Sequence, residues 1–341
     1  MAQIIPKIVP AVETSWQKEL ALAYRDPGKL LEALELPAEA FSSGFAARKL
    51  FPLIVPRPFV ERMKKGDASD PLLRQVLTLE EELLETPGYS TDPLDEQQSA
   101  VPGLLHKYQS RVLMIIRGGC AINCRYCFRR HFPYADNAPS RQGWQQALNY
   151  IRANQEINEV IYSGGDPLMA KDDFLAWLSQ EVANIPHVTR LRLHTRLPVV
   201  IPARITDELL GWFADSRLRP VMVLHINHAN EVDKKLEEAL HKLRAAGVTL
   251  LNQAVLLKGV NDSVQAQVEL SEAIFAVGVL PYYLHLLDKV QGAAHFAVDD
   301  SQARQIMAGM IKRLPGYLVP KLVREIGHQP GKTPVDLHLH P

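Results

Sequence analysis

The residues best suited to chemistry come first. The 341-residue chain has three cysteines, and they are Cys120, Cys124 and Cys127. They sit in the run RVLMIIRGGCAINCRYCFRRHF with the spacing C-x3-C-x2-C. Thiolates are soft ligands that hold iron–sulfur clusters or zinc. Structural zinc normally takes four protein ligands. A cube of four irons held by three thiolates leaves one iron open to something else. Zinc completed by His131, four residues past Cys127, is the plainer alternative, and three chance thiols the plainest. The cluster is favoured because the chain has no other cysteine. It is favoured again because the loop follows directly on a predicted strand. A disulfide framework would spread an even number of cysteines along the chain. Gly118 and Gly119 let the backbone turn sharply into the loop.

Other candidate groups also stand at predicted strand ends. Ser163, Gly164, Gly165 and Asp166 form the turn YSGGDPL. Paired glycines let a ligand come close to backbone N–H groups, although the same turn could simply cap a helix with Asp166. His225 and His228 lie in HINHANE, and Gln253 in NQAVLLKGVND. Lys332 lies in GHQPGKTPVDL, where a P-loop is excluded because Ile326 stands where G-x-x-x-x-G-K needs glycine. A tail lysine is usually exposed, whereas a buried one can form a Schiff base with pyridoxal phosphate.

The elements that must position these groups follow from periodicity. Short apolar, β-branched runs at 112–116, 159–162, 191–195, 221–226, 249–255 and 282–286 predict six strands. Helical stretches at 141–153, 171–183, 206–214, 232–246, 263–276 and 301–313 alternate with them. In the helix over 232–246, Val232, Leu236, Leu240 and Leu243 share one face; Asn230 is expected to cap its start and Gly247 to follow its end. Six strand–helix units predict an α/β fold, a partial (β/α)6 barrel open on one side. Its active groups belong at the C-terminal strand ends. Helices are expected over 15–24, 27–34 and 72–85, so the N-terminal region reads as mostly helical. The expected division is an N-terminal region over 1–105, a barrel over 106–316 and a C-terminal segment over 317–341 that carries Lys332.

Composition limits the partners. With 38 basic and 38 acidic side chains the formal charge is zero, so neither nucleic acid nor an anionic membrane is expected as a partner. No apolar run of about 18 residues is present, and so no membrane span is expected. The N-terminus lacks a basic stretch followed by a long apolar one. That predicts a cytoplasmic protein with reduced thiols.

The cysteine spacing after the first barrel strand resembles the radical-SAM superfamily. Over 101–334 the chain resembles lysine 2,3-aminomutase in seven ordered blocks: HKYQSRVLMIIRGGCAINCRYCFRRHF, YSGGDPL, HTRLPVVIPARIT, HINHANE, NQAVLLKGVND, YYLHLLDKVQGAAHF and GKTPV. The resemblance implies a [4Fe-4S] cluster on the three cysteines. It implies S-adenosyl-L-methionine on the open iron, near the 163–166 turn, His225 and Gln253. It places pyridoxal 5'-phosphate on Lys332, with Arg111 and Lys107 near the phosphate. Arg129 would bind the substrate carboxylate, and Asp288 the ε-ammonium. A second acid, aspartate in that family, falls on Glu325, one methylene longer. The clostridial enzymes' C-terminal cysteines have no counterpart, so their zinc site and oligomer-forming tail are expected to be missing.

The implied activity is conversion of L-α-lysine to (R)-β-lysine. The chain looks most like the bacterial branch that serves modification of elongation factor P through a lysine ligase, with a separate reductant for the cluster. Two other readings are a radical-SAM enzyme acting on another amino acid and a non-catalytic iron–sulfur redox sensor.

Overall fold

A computed structural model describes residues 15–97, 101–134, 141–329 and 331–339. The reading of the first 14 residues as lacking an export signal lies outside the described residues. One nine-stranded sheet organises the chain, and its strand order equals the chain order. β1 (Leu104–Tyr108) and β2 (Arg111–Arg117) form an antiparallel hairpin. Then β3 (Glu159–Gly164), β4 (Arg190–Thr195), β5 (Arg219–Leu224), β6 (Thr249–Val255), β7 (Leu280–His285) and β8 (Lys321–Arg324) add in parallel, each to its predecessor. β9 (Thr333–Pro334) folds back antiparallel on β8. With β1 and β9 at its edges, the sheet is open.

The six predicted strands are β2 to β7. β1, β8 and β9 were not expected: β9 has two residues, and LLHKY and KLVR lack the apolar, β-branched run that marked the others. Parallel neighbours need long crossovers. The expected helices supply them at Arg141–Ala153, Asp172–Ala183, Asp207–Phe213, Lys234–Ala245, Val264–Ala276 and Asp300–Arg313. The helix Lys234–Ala245 buries Leu236, Ala239, Leu240 and Leu243. Its cap is Asp233, whose Oδ1 accepts the Leu236 N–H at 2.8 Å, and not Asn230. Asn230 lies in the short turn Ala229–Glu231, which carries Glu231 into a buried ion pair with Arg196. Gly247 ends the helix at a φ of 80°, the left-handed conformation glycine adopts without steric cost.

Alternation along the strands separates core from cavity, since successive side chains point to opposite faces. Val112 and Met114, Val160 and Tyr162, Leu191 and Leu193 join the apolar core. Their neighbours Arg111 and Leu113, Ile161 and Ser163, Arg192 and His194 face a cavity. Gln253 and Val255 on β6, and Tyr283 and His285 on β7, continue that wall.

The N-terminal region contains the helices Ser15–Ala21, Pro27–Ala33, Arg57–Val60 and Pro71–Arg74, and the 3-10 segments Ala38–Lys49 and Glu80–Leu83. No continuous helix covers 72–85. The Gln75 carbonyl, which would extend the first turn, instead accepts the Arg125 amide from the cysteine loop at 2.9 Å. Trp16, Leu30, Phe59 and Leu73 of this region share one core with Leu148, Leu193 and Leu322. Among the described residues no helix is long and apolar enough to cross a membrane.

Candidate active site

All the candidate site residues except His228 line one cavity of about 250 Å³, from Lys107 on β1 to Lys332 beside β9. His228 lies outside it, and its Nδ1 accepts the Asn230 amide at 3.2 Å. The cysteine loop leaves β2 through Gly118 and Gly119 and packs on the turn after β3. The Gly165 N–H donates to Arg117 O at 2.6 Å and the Asp166 N–H to Gly119 O at 3.0 Å. A Cβ at Gly165 would lie 2.6 Å from Gly119 O, and one at Gly164, where φ is 119°, 2.5 Å from Arg117 O. These glycines therefore serve first to let two backbone turns touch. Asp166 ties the same turn to the end of β4. Its carboxylate accepts Thr195 Oγ1 at 2.8 and 2.9 Å, the Arg196 and Leu197 amides at 2.8 and 2.9 Å, and the Leu168 amide at 3.0 Å.

The thiol set fits a cationic cluster. Burial and the neighbouring Cys124 charge push Cys127 up to about 11. Burial also lifts Cys120 well above the usual thiol range. Three thiolates so placed need positive charge between them. His131 does not complete a ligand set, because its Nε2 lies 3.1 Å from Gln291 O. Among the described residues no group of three or more His, Cys, Asp and Glu side chains is placed to hold a metal ion together. Tyr126 stacks on His225 with ring centroids 5.6 Å apart, and its hydroxyl lies 2.9 Å from His225 Nε2.

Arg129 stands between the cysteines and the acids. Its charge acts on Cys120 and is felt in turn by Glu325. Its Nε donates to Glu96 at 2.7 Å, while Nη1 makes only long bonds to Ser163 Oγ at 3.3 Å and Gly164 O at 3.4 Å. Among the described residues Nη2 makes no hydrogen bond, so the outer edge of the fork can take a carboxylate. Glu96 was not singled out from the sequence, and its turn-rich surroundings carry no signal for it. It also holds Lys107 Nζ at 2.8 Å. Burial opposes its ionisation, but Arg129 and Lys107 outweigh it and hold the carboxyl below its usual range. Arg111 lies 3.9 Å over the Tyr108 ring.

Glu325 and Lys332 are explained by strand register. Val323 pairs with Pro334 and Arg324 with Thr333. The next pair outward is Glu325 with Lys332, and Lys332 Nζ donates to Glu325 Oε2 at 2.5 Å. Burial opposes the Glu325 charge, and Lys332 and Lys107 overcome it, so its carboxyl is lowered. Asp288, beyond β7, shows the opposite shift. Burial and then the Glu325 charge raise it to about 7, despite Lys332 and Lys107. Among the described residues its carboxylate takes no hydrogen bond.

The lysine end also fits a phosphate-bearing aromatic group. Arg192 Nε, His194 Nε2 and His285 Nε2 line the cavity wall buried and without partners among the described residues. The rings of Tyr282 and Tyr283 lie beside them, and Lys332 Nζ is 5.8 Å from the Tyr283 centroid. Burial holds His194 and His285 well below the usual imidazole range, so each is neutral and has one ring N–H. An unmatched buried donor is costly, and an anion would satisfy the Arg192 Nε–H and a ring N–H turned toward it.

Comparison with known proteins agrees. The profile of the Radical SAM superfamily matches residues 114–268. The chain is 57% identical over 340 residues to the L-lysine 2,3-aminomutase of Escherichia coli strain K12, covering 99% of each. It is 56% identical over 322 residues to the Haemophilus influenzae L-lysine 2,3-aminomutase, covering 94% of this chain and 95% of that one. Against the Clostridium subterminale L-lysine 2,3-aminomutase identity is 36% over 280 residues, 81% of this chain and 67% of that one. A cavity with a cysteine triad and a paired lysine, in a chain this similar to those enzymes, means that the protein belongs to the L-lysine 2,3-aminomutase family of isomerases in the radical SAM superfamily.

Proposed function

We propose that this protein converts L-α-lysine to (R)-β-lysine, with pyridoxal phosphate held by Lys332, and that the product serves modification of elongation factor P. One observation carries the reading: a single cavity joins the cysteine triad to Lys332, with Arg129 between them. The family's shared chemistry is one-electron cleavage of S-adenosylmethionine and stabilisation of a carbon radical beside nitrogen. Cys120, Cys124 and Cys127 would hold the cluster. Gln253, His225 and the 163–166 turn would line the S-adenosylmethionine site. Arg111, Lys107, the Nε–H of Arg192 and the ring nitrogens of His194 and His285 would face the phosphate.

The remaining groups orient the substrate. The free edge of Arg129 grips the α-carboxylate while Glu96 holds the guanidinium in plane. Asp288 and Glu325 receive the ε-ammonium and so measure side-chain length. An amino acid lacking that cation would leave a buried carboxylate unpaired, at a cost of about 1.5–3 kcal/mol. Leu113 and Ile161 add apolar wall to the cavity and would keep water from the reacting carbons. We further propose that the 1–105 region braces the 106–316 barrel at its cysteine loop, and that 317–341 is the strap that presents Lys332.

The link to elongation factor P rests on the resemblance of the sequence to that bacterial branch. Anaerobic enzyme loaded with iron, sulfide and pyridoxal phosphate, given dithionite, S-adenosylmethionine and L-lysine, is expected to release β-lysine. Lys332→Ala is expected to release none. Fully loaded wild-type enzyme that yields no β-lysine sinks the assignment. Intact-mass analysis of elongation factor P from cells lacking this gene tests the second half. Unchanged modification there removes the link.

A further inference from the structure

A buried polar network reaches from the N-terminal region to one cysteine sulfur, and no part of the reaction described above uses it. Arg196, at the end of β4, is 6% exposed. Its Nη1 donates to Cys124 Sγ at 2.8 Å and to the Tyr126 hydroxyl at 2.5 Å. Its Nη2 donates to Gln75 Oε1 at 2.7 Å and Glu231 Oε2 at 2.9 Å. Gln75, fully buried, also accepts Asn227 Nδ2 at 3.0 Å and donates to Glu231 Oε1 at 3.2 Å. The Phe59 ring covers the guanidinium at 5.4 Å. Both Gln75 and Phe59 come from the N-terminal region.

A guanidinium held on four sides has little rotamer freedom, so its contact with the sulfur is aimed rather than incidental. Hydrogen bonds and nearby positive charge at cluster sulfurs favour the reduced, more negative state. We propose that Arg196 is a positioning residue for the cluster, which raises its reduction potential through Cys124, and that Gln75 and Glu231 aim it. The role of the N-terminal region then extends beyond packing, because it sets how readily the cluster accepts its electron. This rests on the reading that the three cysteines hold the cluster.

The test is EPR-monitored potentiometry with dithionite on anaerobically reconstituted full-length protein, without lysine, alongside iron content. In Arg196→Gln, the reduced-to-oxidised ratio at the wild-type midpoint is expected to fall about tenfold, about 59 mV for one electron. Gln75→Met keeps the arginine but removes an acceptor that holds it, and is expected to shift the ratio the same way by less. A fully loaded Arg196→Gln protein with the wild-type potential overturns the proposal. If that variant takes up no iron, an unshifted Gln75→Met protein overturns it instead. Wild-type protein that binds no iron and sulfide would defeat the cluster reading itself, which is a distinguishable result.

Discussion

At the scale of single residues, the two acids of the lysine end are held in opposite states. Glu325 has a lysine across the hairpin and stays charged, while Asp288 has burial and a like charge beside it. Glu325, Lys332, Glu96 and Lys107 are the charges that act on Asp288. An ammonium ligand favours the ionised form, so lysine affinity should rise as pH passes upward through about 7. Calorimetric titration across that range checks this, and Asp288→Asn should flatten the dependence. The stability effect has the reverse sign. The folded carboxyl is raised from 3.8 to about 7, so the folded state binds the extra proton between those values. Stability attributable to Asp288 is therefore greatest in acid and declines as pH rises to about 7. Asp288→Asn should melt higher than wild type above that pH. Glu96 acts through Arg129. Glu96→Gln replaces a charged anchor by a neutral one and should raise KM for lysine about tenfold with a smaller change in kcat. A kcat loss with unchanged KM would remove Glu96 from substrate positioning.

At the scale of elements, the site is made by turns that follow strands, and Gly164 and Gly165 allow two of those turns to touch. A methyl group at 165 would meet the carbonyl oxygens of Gly119 and Gly118 at 2.6 and 2.8 Å. Both are backbone atoms and cannot swing aside. Gly165→Ala should therefore displace the cysteine loop, lower iron per protein, and cost about 1–3 kcal/mol of stability. Iron assay and urea denaturation measure the two effects. A variant with full iron content would mean that the loop can relax without losing its cluster geometry. The β8–β9 hairpin has a similar role at the other end. Its register places Glu325 opposite Lys332, which accounts for their spacing in the chain.

At the scale of the whole molecule, the N-terminal region and the sheet behave as one body. Glu82, on the 3-10 segment Glu80–Leu83, accepts from Arg125 Nη2 at 2.5 Å and Arg130 Nη2 at 2.7 Å. Both arginines flank Cys127, and all three side chains are essentially out of solvent. Removing the carboxylate leaves two buried cations without an anion, and breaking a buried pair costs about 3–5 kcal/mol. Glu82→Leu should lose stability on that scale and lose iron with it. Wild-type protein should unfold in one transition, because a shared core joins Trp16 to Leu322. Limited proteolysis that releases a stable 106–316 fragment would contradict this.

Sequence alone pointed to the cysteine triad by its spacing and to six strands by their apolar runs, while Lys332 stood out only through the family resemblance. Ligand spacing, hydrophobic period and turn residues are local properties, written in consecutive positions. Other features depended on contacts across long stretches of chain. Gln75 and Glu96 look like ordinary polar residues in their own segments. They matter because folding brings them to Arg196 and Arg129, 121 and 33 positions away. The end of the helix at Arg74 and the cap at Asp233 have the same cause: Gln75 and Glu231 are drawn into one buried network, which overrides the local helical preference. Charge states are likewise tertiary properties. The sequence names Asp288 and Glu325 as carboxylates, but burial and neighbouring charge decide which one keeps its proton.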